Sequence, residues 1–99
     1  MEDSSDGTST TKHKFRLFVS GMSVKSGHAI ENLRKICDTY LKNNYELEII
    51  DISRDKEQAV IHQIVAIPTL IKIHPEPKRI ILGDLSDKDK VLYILNIEQ

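Results

Sequence analysis

The first third of the domain combines a strand pattern with a helix pattern. The segment KFRLFVS, just before Gly21, is dense in aromatic and β-branched residues and largely apolar on both faces, as in a central strand covered on both sides. Over residues 23–41 the apolar positions recur at intervals of three and four, the spacing of one helix face. The pattern therefore predicts a strand followed by a long amphipathic helix.

A second strand and a short helix are predicted between residues 45 and 67. The segment YELEIIDI places three apolar residues on one face, which is typical of a strand. Asp55 and Gln58 have the spacing of a capping box and predict a short helix that ends before Pro68. A strand, a helix and a strand in this order predict a right-handed parallel crossover.

The last third of the chain predicts two strands and a final helix. TLIKI and KRIILG are apolar strands joined by HPEP, whose prolines suit a stiff loop between antiparallel partners. Ser86 and Asp89 form a second capping pattern, followed by apolar residues at helical spacing. The resulting order, βαβαββα, resembles the α/β thioredoxin-like fold, in which a proline precedes the third strand.

Length and composition indicate one globular domain. The chain has 99 residues, 39% of them hydrophobic and 29% charged, and no apolar run approaches the roughly 20 residues that span a bilayer. Residues 1–13 are polar and lack apolar periodicity, so we expect a disordered tail before a domain over residues 14–99. The start lacks the pattern of a secretory signal, which favours the cytoplasm.

Charge argues against nucleic acid as a partner. The net charge is −1, and because residues 1–10 hold three acidic residues and no basic one, the remainder carries +2. Nucleic-acid-binding domains have strongly basic, clustered surfaces. We therefore expect neither a nucleic-acid nor a membrane partner.

The single cysteine and the four histidines offer little chemistry. Cys37 lies in the helical apolar pattern and is expected to be a packed core thiol. Thioredoxins require a reactive thiol near the end of the first strand, where this chain has GMSVKS. The histidines lack paired metal spacing and are expected at the surface. We predict no catalytic residue, metal or cofactor, and a single-thiol oxidoreductase is the disfavoured alternative.

Three blocks of the chain resemble the KaiB family of bacterial clock proteins. They are LFVSG, AIPTLIKI and RIILGDLSDKDKVL, which occur in the family's order and spacing, and the resemblance covers residues 14–95. The last block contains GDLS at residues 83–86, a family hallmark. The chain departs from cyanobacterial members at Val24, His28 and Ile80, where a proline, a basic residue and the second of two arginines are usual.

The resemblance implies a non-catalytic protein that binds the ring of a KaiC-like ATPase, with other clock or signalling proteins as further partners. The polar tail and the apolar strands with potential edges favour a dimer or tetramer. Some members exchange the thioredoxin-like fold for a resting fold with a rearranged C-terminal half, which is the alternative for this chain. Pro68 and Gly83 are the candidate switch residues, because an X-Pro bond can change isomer and glycine relaxes the backbone. The resemblance favours a cis Pro68, and the alternative is a trans proline that starts the strand.

The predicted partner-binding residues cluster around the last two strands. The resemblance assigns Lys72, Arg79, Gly83 and Asp84, and we add Lys78 as a neighbouring cation. As alternatives, Lys72 and Lys78 are solvated charges on an edge strand, and Asp84 orders the start of the last helix. A sensor domain separated from a histidine kinase and acting in trans is a further possibility.

Overall fold

The computed structural model describes residues 12–21 and 23–97, which form a four-stranded sheet with three helices. The strands are β1 (His13–Val19), β2 (Tyr45–Asp51), β3 (Thr69–His74) and β4 (Arg79–Leu82), and the helices are α1 (Val24–Tyr40), α2 (Lys56–Ile61) and α3 (Lys88–Leu95). Their order, βαβαββα, is the predicted one. Within the described ranges no helix is long and apolar enough to cross a membrane.

The first strand begins slightly earlier than predicted. β1 begins at His13, one residue earlier than expected, and Lys12 already forms an ion pair with Glu46 at 3.3 Å. Most of the predicted tail, residues 1–11, lies outside the described residues.

The sheet has the order β2-β1-β3-β4, with β1 and β3 in the centre. β1 pairs in parallel with β2 and antiparallel with β3, and Leu17 lies between Ile49 and Leu70. β3 and β4 pair antiparallel, with Thr69 opposite Leu82. The predicted parallel crossover and the antiparallel pair around HPEP are both confirmed.

The main core lies between one sheet face and helices α1 and α3. Alternate residues of β1 point into it because successive strand side chains face opposite sides of a sheet. The buried residues of this layer are Phe15, Leu17, Val19, Ala29, Leu33, Ile36, Cys37, Leu41, Leu70, Ile81, Leu85, Val91, Leu92, Leu95 and Ile97.

The opposite sheet face is covered more lightly. Phe18 and Ile71 are buried there, and the ring of His62 lies 5.1 Å from that of Phe18. Yet α2 buries none of its own residues. Both faces of β1 are therefore covered, as predicted. Helices α1 and α3 contribute many buried residues to their face, whereas α2 contributes none to the other.

The predicted cap of the last helix is wrong by one residue. Asp87, and not Ser86, is the N-cap of α3, and its side chain accepts a hydrogen bond from the backbone N–H of Lys90 at 3.2 Å. The backbone N–H of Ser86 instead donates to the carboxylate of Asp84 at 3.1 Å. Asp84, Ser86 and Asp87 all carry side-chain oxygens that can accept a hydrogen bond, and the backbone conformation of the turn determines which of them caps the helix.

The predicted capping box of α2 does not form. Asp55 is the N-cap, but its side chain makes no cap hydrogen bond to the backbone. Gln58 contacts it only through a side-chain hydrogen bond of 3.4 Å. The start of this short helix therefore lacks the side-chain-to-backbone hydrogen bonds of a capping box.

Candidate functional site

Hydroxyl and carboxylate groups occupy the loop where a thioredoxin would carry its reactive thiol. At the start of α1, Ser23 caps the helix by accepting a hydrogen bond from the backbone N–H of Ser26 at 3.2 Å. The hydroxyl of Ser26, which is buried, accepts from the backbone N–H of Ser20 at 3.1 Å. The Ser23 oxygen thus satisfies a backbone donor at the helix start, and the Ser26 oxygen ties the loop after β1 to α1.

Asp51 holds the same loop from the end of β2. One of its carboxylate oxygens accepts hydrogen bonds from the backbone N–H of Gly21 at 2.8 Å and from the backbone and hydroxyl of Ser53 at 3.0 and 2.7 Å. These bonds, the one from the Ser53 hydroxyl foremost, lower the pKa of Asp51. Asp51 thus acts as an anchor between β2 and the loop after β1.

Cys37 is a packed core thiol, as predicted. Its side chain is fully buried in the layer between α1 and the sheet. Burial, with a smaller contribution from Asp38, raises the pKa of Cys37 to about 12. With this pKa the thiol is protonated at neutral pH. A thiol needs to be ionised to act as a nucleophile, so Cys37 is not poised for redox chemistry.

The structure brings the two predicted switch residues into contact. The Ile67–Pro68 bond is cis in this structure. The carbonyl oxygen of Pro68 accepts a hydrogen bond from the backbone N–H of Gly83 at 2.9 Å. Gly83 has a φ of +109°, a conformation that side-chain-bearing residues rarely adopt.

Lys72 does not lie where the sequence placed it. Its strand, β3, is central in the sheet, and the residue is 1% exposed. The interpretation of Lys72 as a solvated edge-strand charge is therefore wrong, because tertiary packing covers the strand with α3. Its ammonium donates to the carbonyl oxygen of Leu95 at 2.9 Å instead of reaching the surface.

The other predicted contact residues line one end of the sheet or its edge. Lys78 and Arg79 are exposed at the start of the edge strand β4, and Gly83 and Asp84 follow its end and are half-buried. We call Lys78, Arg79, Gly83 and Asp84 the β4 rim. The edge position proposed for Lys78 agrees with its exposure, and the contact role of the rim stays a prediction.

Asp84 is tied into the turn before α3. Hydrogen bonds from Ser86 lower the pKa of its carboxyl group, with smaller contributions from His28 and Lys25 on α1. Its carbonyl oxygen accepts a hydrogen bond from the side-chain amide of Asn32 at 2.8 Å. These contacts support the alternative in which Asp84 orders the start of the last helix.

Sequence reasoning missed Asn32. This residue lies on α1 next to the buried Leu33, and its amide reaches the turn after β4, 52 residues away in the chain. A polar residue beside a buried helix stripe was the only available signal. Such a signal does not identify a partner, because the partner comes from a distant part of the sequence.

A groove and an apolar surface adjoin β4 on different sides. The groove, of about 660 Å³, lies between Pro77 and Arg79 on one side and Tyr93 and Asn96 on the other. The apolar surface lies on the α2 side of the sheet. We call its exposed apolar residues the apolar face, and they are Val65, Ile80 and Leu82.

The histidines are only partly as expected. His28 and His74 are exposed, whereas His13 and His62 are half-buried, because their rings lie against those of Phe15 and Phe18. Among the described residues, no group of three or more His, Cys, Asp or Glu side chains is placed to hold a metal ion.

Comparisons with known proteins agree with this architecture. A family model described as the KaiB domain matches residues 16–97. The circadian clock protein KaiB3 of Synechocystis sp. is 43% identical over 82 residues, which cover 83% of this chain and 80% of that protein. The N-terminal domain of SasA from Synechococcus elongatus has a TM-score of 0.70 at 21% identity, with 93% and 90% of the two chains covered. Mitochondrial thioredoxin 3 of Saccharomyces cerevisiae has a TM-score of 0.68 at 14% identity, with 88% and 80% covered. These two structures show the fold alone.

Proposed function

The chain belongs to the KaiB family of circadian clock proteins, and we propose that it is a non-catalytic regulatory adaptor that binds a KaiC-like ATPase ring through the β4 rim. The observation that supports this best is the family match over residues 16–97. The loop after β1 adds support, because backbone-capping oxygens stand where a redox enzyme of this fold would need a thiol.

The chemistry of the β4 rim suits recognition of an acidic surface. Lys78 and Arg79 place two exposed cations next to each other, and Arg79 also borders the groove beside α3. Exposed charges at the edge of an interface act mainly on the association rate and on its salt dependence. We therefore assign to Arg79 a role in steering the ATPase to the rim.

Binding of the host's own KaiC-like ATPase, with its nucleotide state varied, tests the proposal directly. We expect Arg79→Ala to weaken binding about tenfold, or about 1.4 kcal/mol, chiefly through slower association. Arg54→Ala is the matched control, because Arg54 is exposed and follows β2, the opposite edge strand. If the wild type does not bind in any nucleotide state, the adaptor function is refuted. If both variants lose the same binding affinity, the contact role of the β4 rim is refuted.

The proposal includes a dimer or tetramer and a cytoplasmic location. The apolar face supports self-association, since Ile80 and Leu82 are 56% and 57% exposed on an edge strand whose outer backbone groups are open to pairing. Ile80→Lys is expected to lower the association state in sedimentation velocity, with Val24→Lys, an exposed apolar site on α1, as the control. A wild type that remains monomeric at high concentration would contradict self-association.

Fold switching is also part of the proposal. Gly83, with its positive φ between β4 and α3, is a suitable hinge for a rearrangement of the C-terminal half. Two sets of NMR signals for residues 68–97, with populations that change when the ATPase is added, would support it. A single set with and without the ATPase would contradict it, while leaving the adaptor role intact.

A further inference from the structure

Lys72 places a buried positive charge beneath the end of the last helix. It lies between its two cross-strand neighbours, Phe15 on β1 and Arg79 on β4, and it shares the α3-facing side of β3 with Leu70. Only 1% of its surface is exposed, and its Nζ donates a hydrogen bond to the carbonyl oxygen of Leu95 at 2.9 Å. The bond thus joins a central strand to the last residue of α3.

The C-terminal end of α3 needs this donor. Helices end with carbonyl groups that have no partner inside the helix. In α3 the backbone turns at Asn96, which is left-handed, so that the Asn96 N–H bonds the Tyr93 carbonyl and the Ile97 N–H bonds the Leu92 carbonyl. Among residues 12–21 and 23–97, no backbone N–H of this motif donates to the Leu95 carbonyl, and Lys72 supplies a donor from another element.

The charge of Lys72 also matches the position. α3 has no basic residue in its last turn, so the helix does not balance the negative end of its own dipole. The Lys72 ammonium provides this positive charge from β3. The interaction between the ammonium and the helix dipole weakens within about one turn of the helix end. It therefore favours a position of α3 in which Leu95 lies next to Lys72.

Other neighbours do not account for burial of this charge. In the described part of the chain, no carboxylate forms an ion pair with Lys72. Burial foremost, and the guanidinium of Arg79, lower the pKa of Lys72. A buried charge with a like charge nearby is unfavourable in itself, so its stabilisation depends on the hydrogen bond to α3.

The start of the same segment is held in a similar way. The Asn32 amide binds the Asp84 carbonyl before α3, just as the Lys72 ammonium binds the Leu95 carbonyl at its end. Both are side-chain donors to backbone carbonyls from elements that are distant in sequence. Together they fix the two ends of the segment against α1 and the sheet.

We propose that Lys72 is a positioning residue that fixes the C-terminal end of α3 on the sheet, with Asn32 fixing the turn before the helix. The groove between Arg79 and Asn96 has one wall on this helix end, so Lys72 also sets its width. Lys72 acts from the interior, because only 1% of its surface is exposed. The inference does not rest on the proposed function.

Residue-resolved amide exchange, measured by NMR on the whole chain, tests this role. Lys72→Met keeps the length and apolar stem of the side chain but leaves the Leu95 carbonyl without a donor. We expect the amides of Asn96 and Ile97 to exchange at least tenfold faster, while those of Leu33 in α1 change less than twofold. Lys78→Met, which removes an exposed lysine, is expected to change neither. Exchange of Asn96 and Ile97 within twofold of the wild type would overturn the proposal.

A second measurement, made on the wild type, tests the proposal even if the Lys72→Met variant unfolds. In the wild type, the Nζ protons of Lys72 should exchange with water at least tenfold more slowly than those of Lys78, because they are buried and one is hydrogen-bonded. Nζ exchange as fast as that of Lys78 would overturn the proposal whatever the behaviour of the methionine variant.

Discussion

The backbone N–H of Gly83 donates a hydrogen bond to the carbonyl oxygen of Pro68, at 2.9 Å. Because Thr69 pairs with Leu82, this bond continues the ladder by one step and closes β3 and β4 at the same end. The chain reverses towards α3 directly afterwards. Gly83 thus ends the pairing of β3 with β4, and the turn at Asp84 follows before α3.

Gly83→Ala should lower the free energy of unfolding by roughly 1–3 kcal/mol, because a φ of +109° strains a residue with a side chain. A Cβ atom there would meet no heavy atom within 4 Å, so the cost is conformational and not a clash. Gly27→Ala is the matched control. It lies inside α1 with open space around it and should stabilise by about 0.5–1 kcal/mol. Chemical denaturation measures the free energy of unfolding of both variants. Equal values would refute the strain expected of a side chain at position 83.

Asn32→Ala should lower the free energy of unfolding by about 1 kcal/mol, because the Asp84 carbonyl loses its donor. The backbone NMR signals of Asp84 and Leu85 should shift at the same time. Glu31→Ala, an exposed neighbour on α1, should leave those signals in place. If both variants behave alike, Asn32 does not hold this turn.

Acid should act through Asp51. Its folded pKa is lower than the ordinary value of 3.8, so its contribution to stability is present above pH 3.8 and is lost as the pH falls through the folded pKa. The wild type should therefore lose stability relative to Asp51→Asn as the pH falls below 3.8. Urea denaturation of both proteins at a series of pH values measures the difference. A difference independent of pH would contradict the lowered pKa.

Cys37 should be unreactive in the folded protein. With a pKa of about 12, its thiolate is only about one part in 10⁵ at pH 7, and the side chain is also buried. A thiol-specific reagent should modify it at least about 100-fold more slowly in buffer than in denaturant. Rapid modification of the native protein, or reduction of insulin disulfides at rates typical of dithiol catalysts, would revive the oxidoreductase alternative.

The sequence predicted the element order and most of the core because periodicity follows directly from geometry. Residues of β1 alternate between two sheet faces, and apolar residues of α1 recur once per turn, so Leu17 and Leu33 could be placed in the core without coordinates. The caps of α2 and α3 were less predictable. Ser86, Asp87 and Asp84 all offer oxygen acceptors within four residues, and small differences in the turn decide among them.

What the sequence determined alone was the local pattern: strands, helices, one buried thiol and the family to which the chain belongs. Only the tertiary structure decided the role of Lys72. In TLIKI, a lysine flanked by isoleucines suggests a solvated position, and nothing nearby in sequence offers it a partner. Its acceptor, the carbonyl of Leu95, lies 23 residues away and becomes available only when α3 packs across β3. Because burial and hydrogen bonding depend on elements brought together by folding, local sequence could not determine this site.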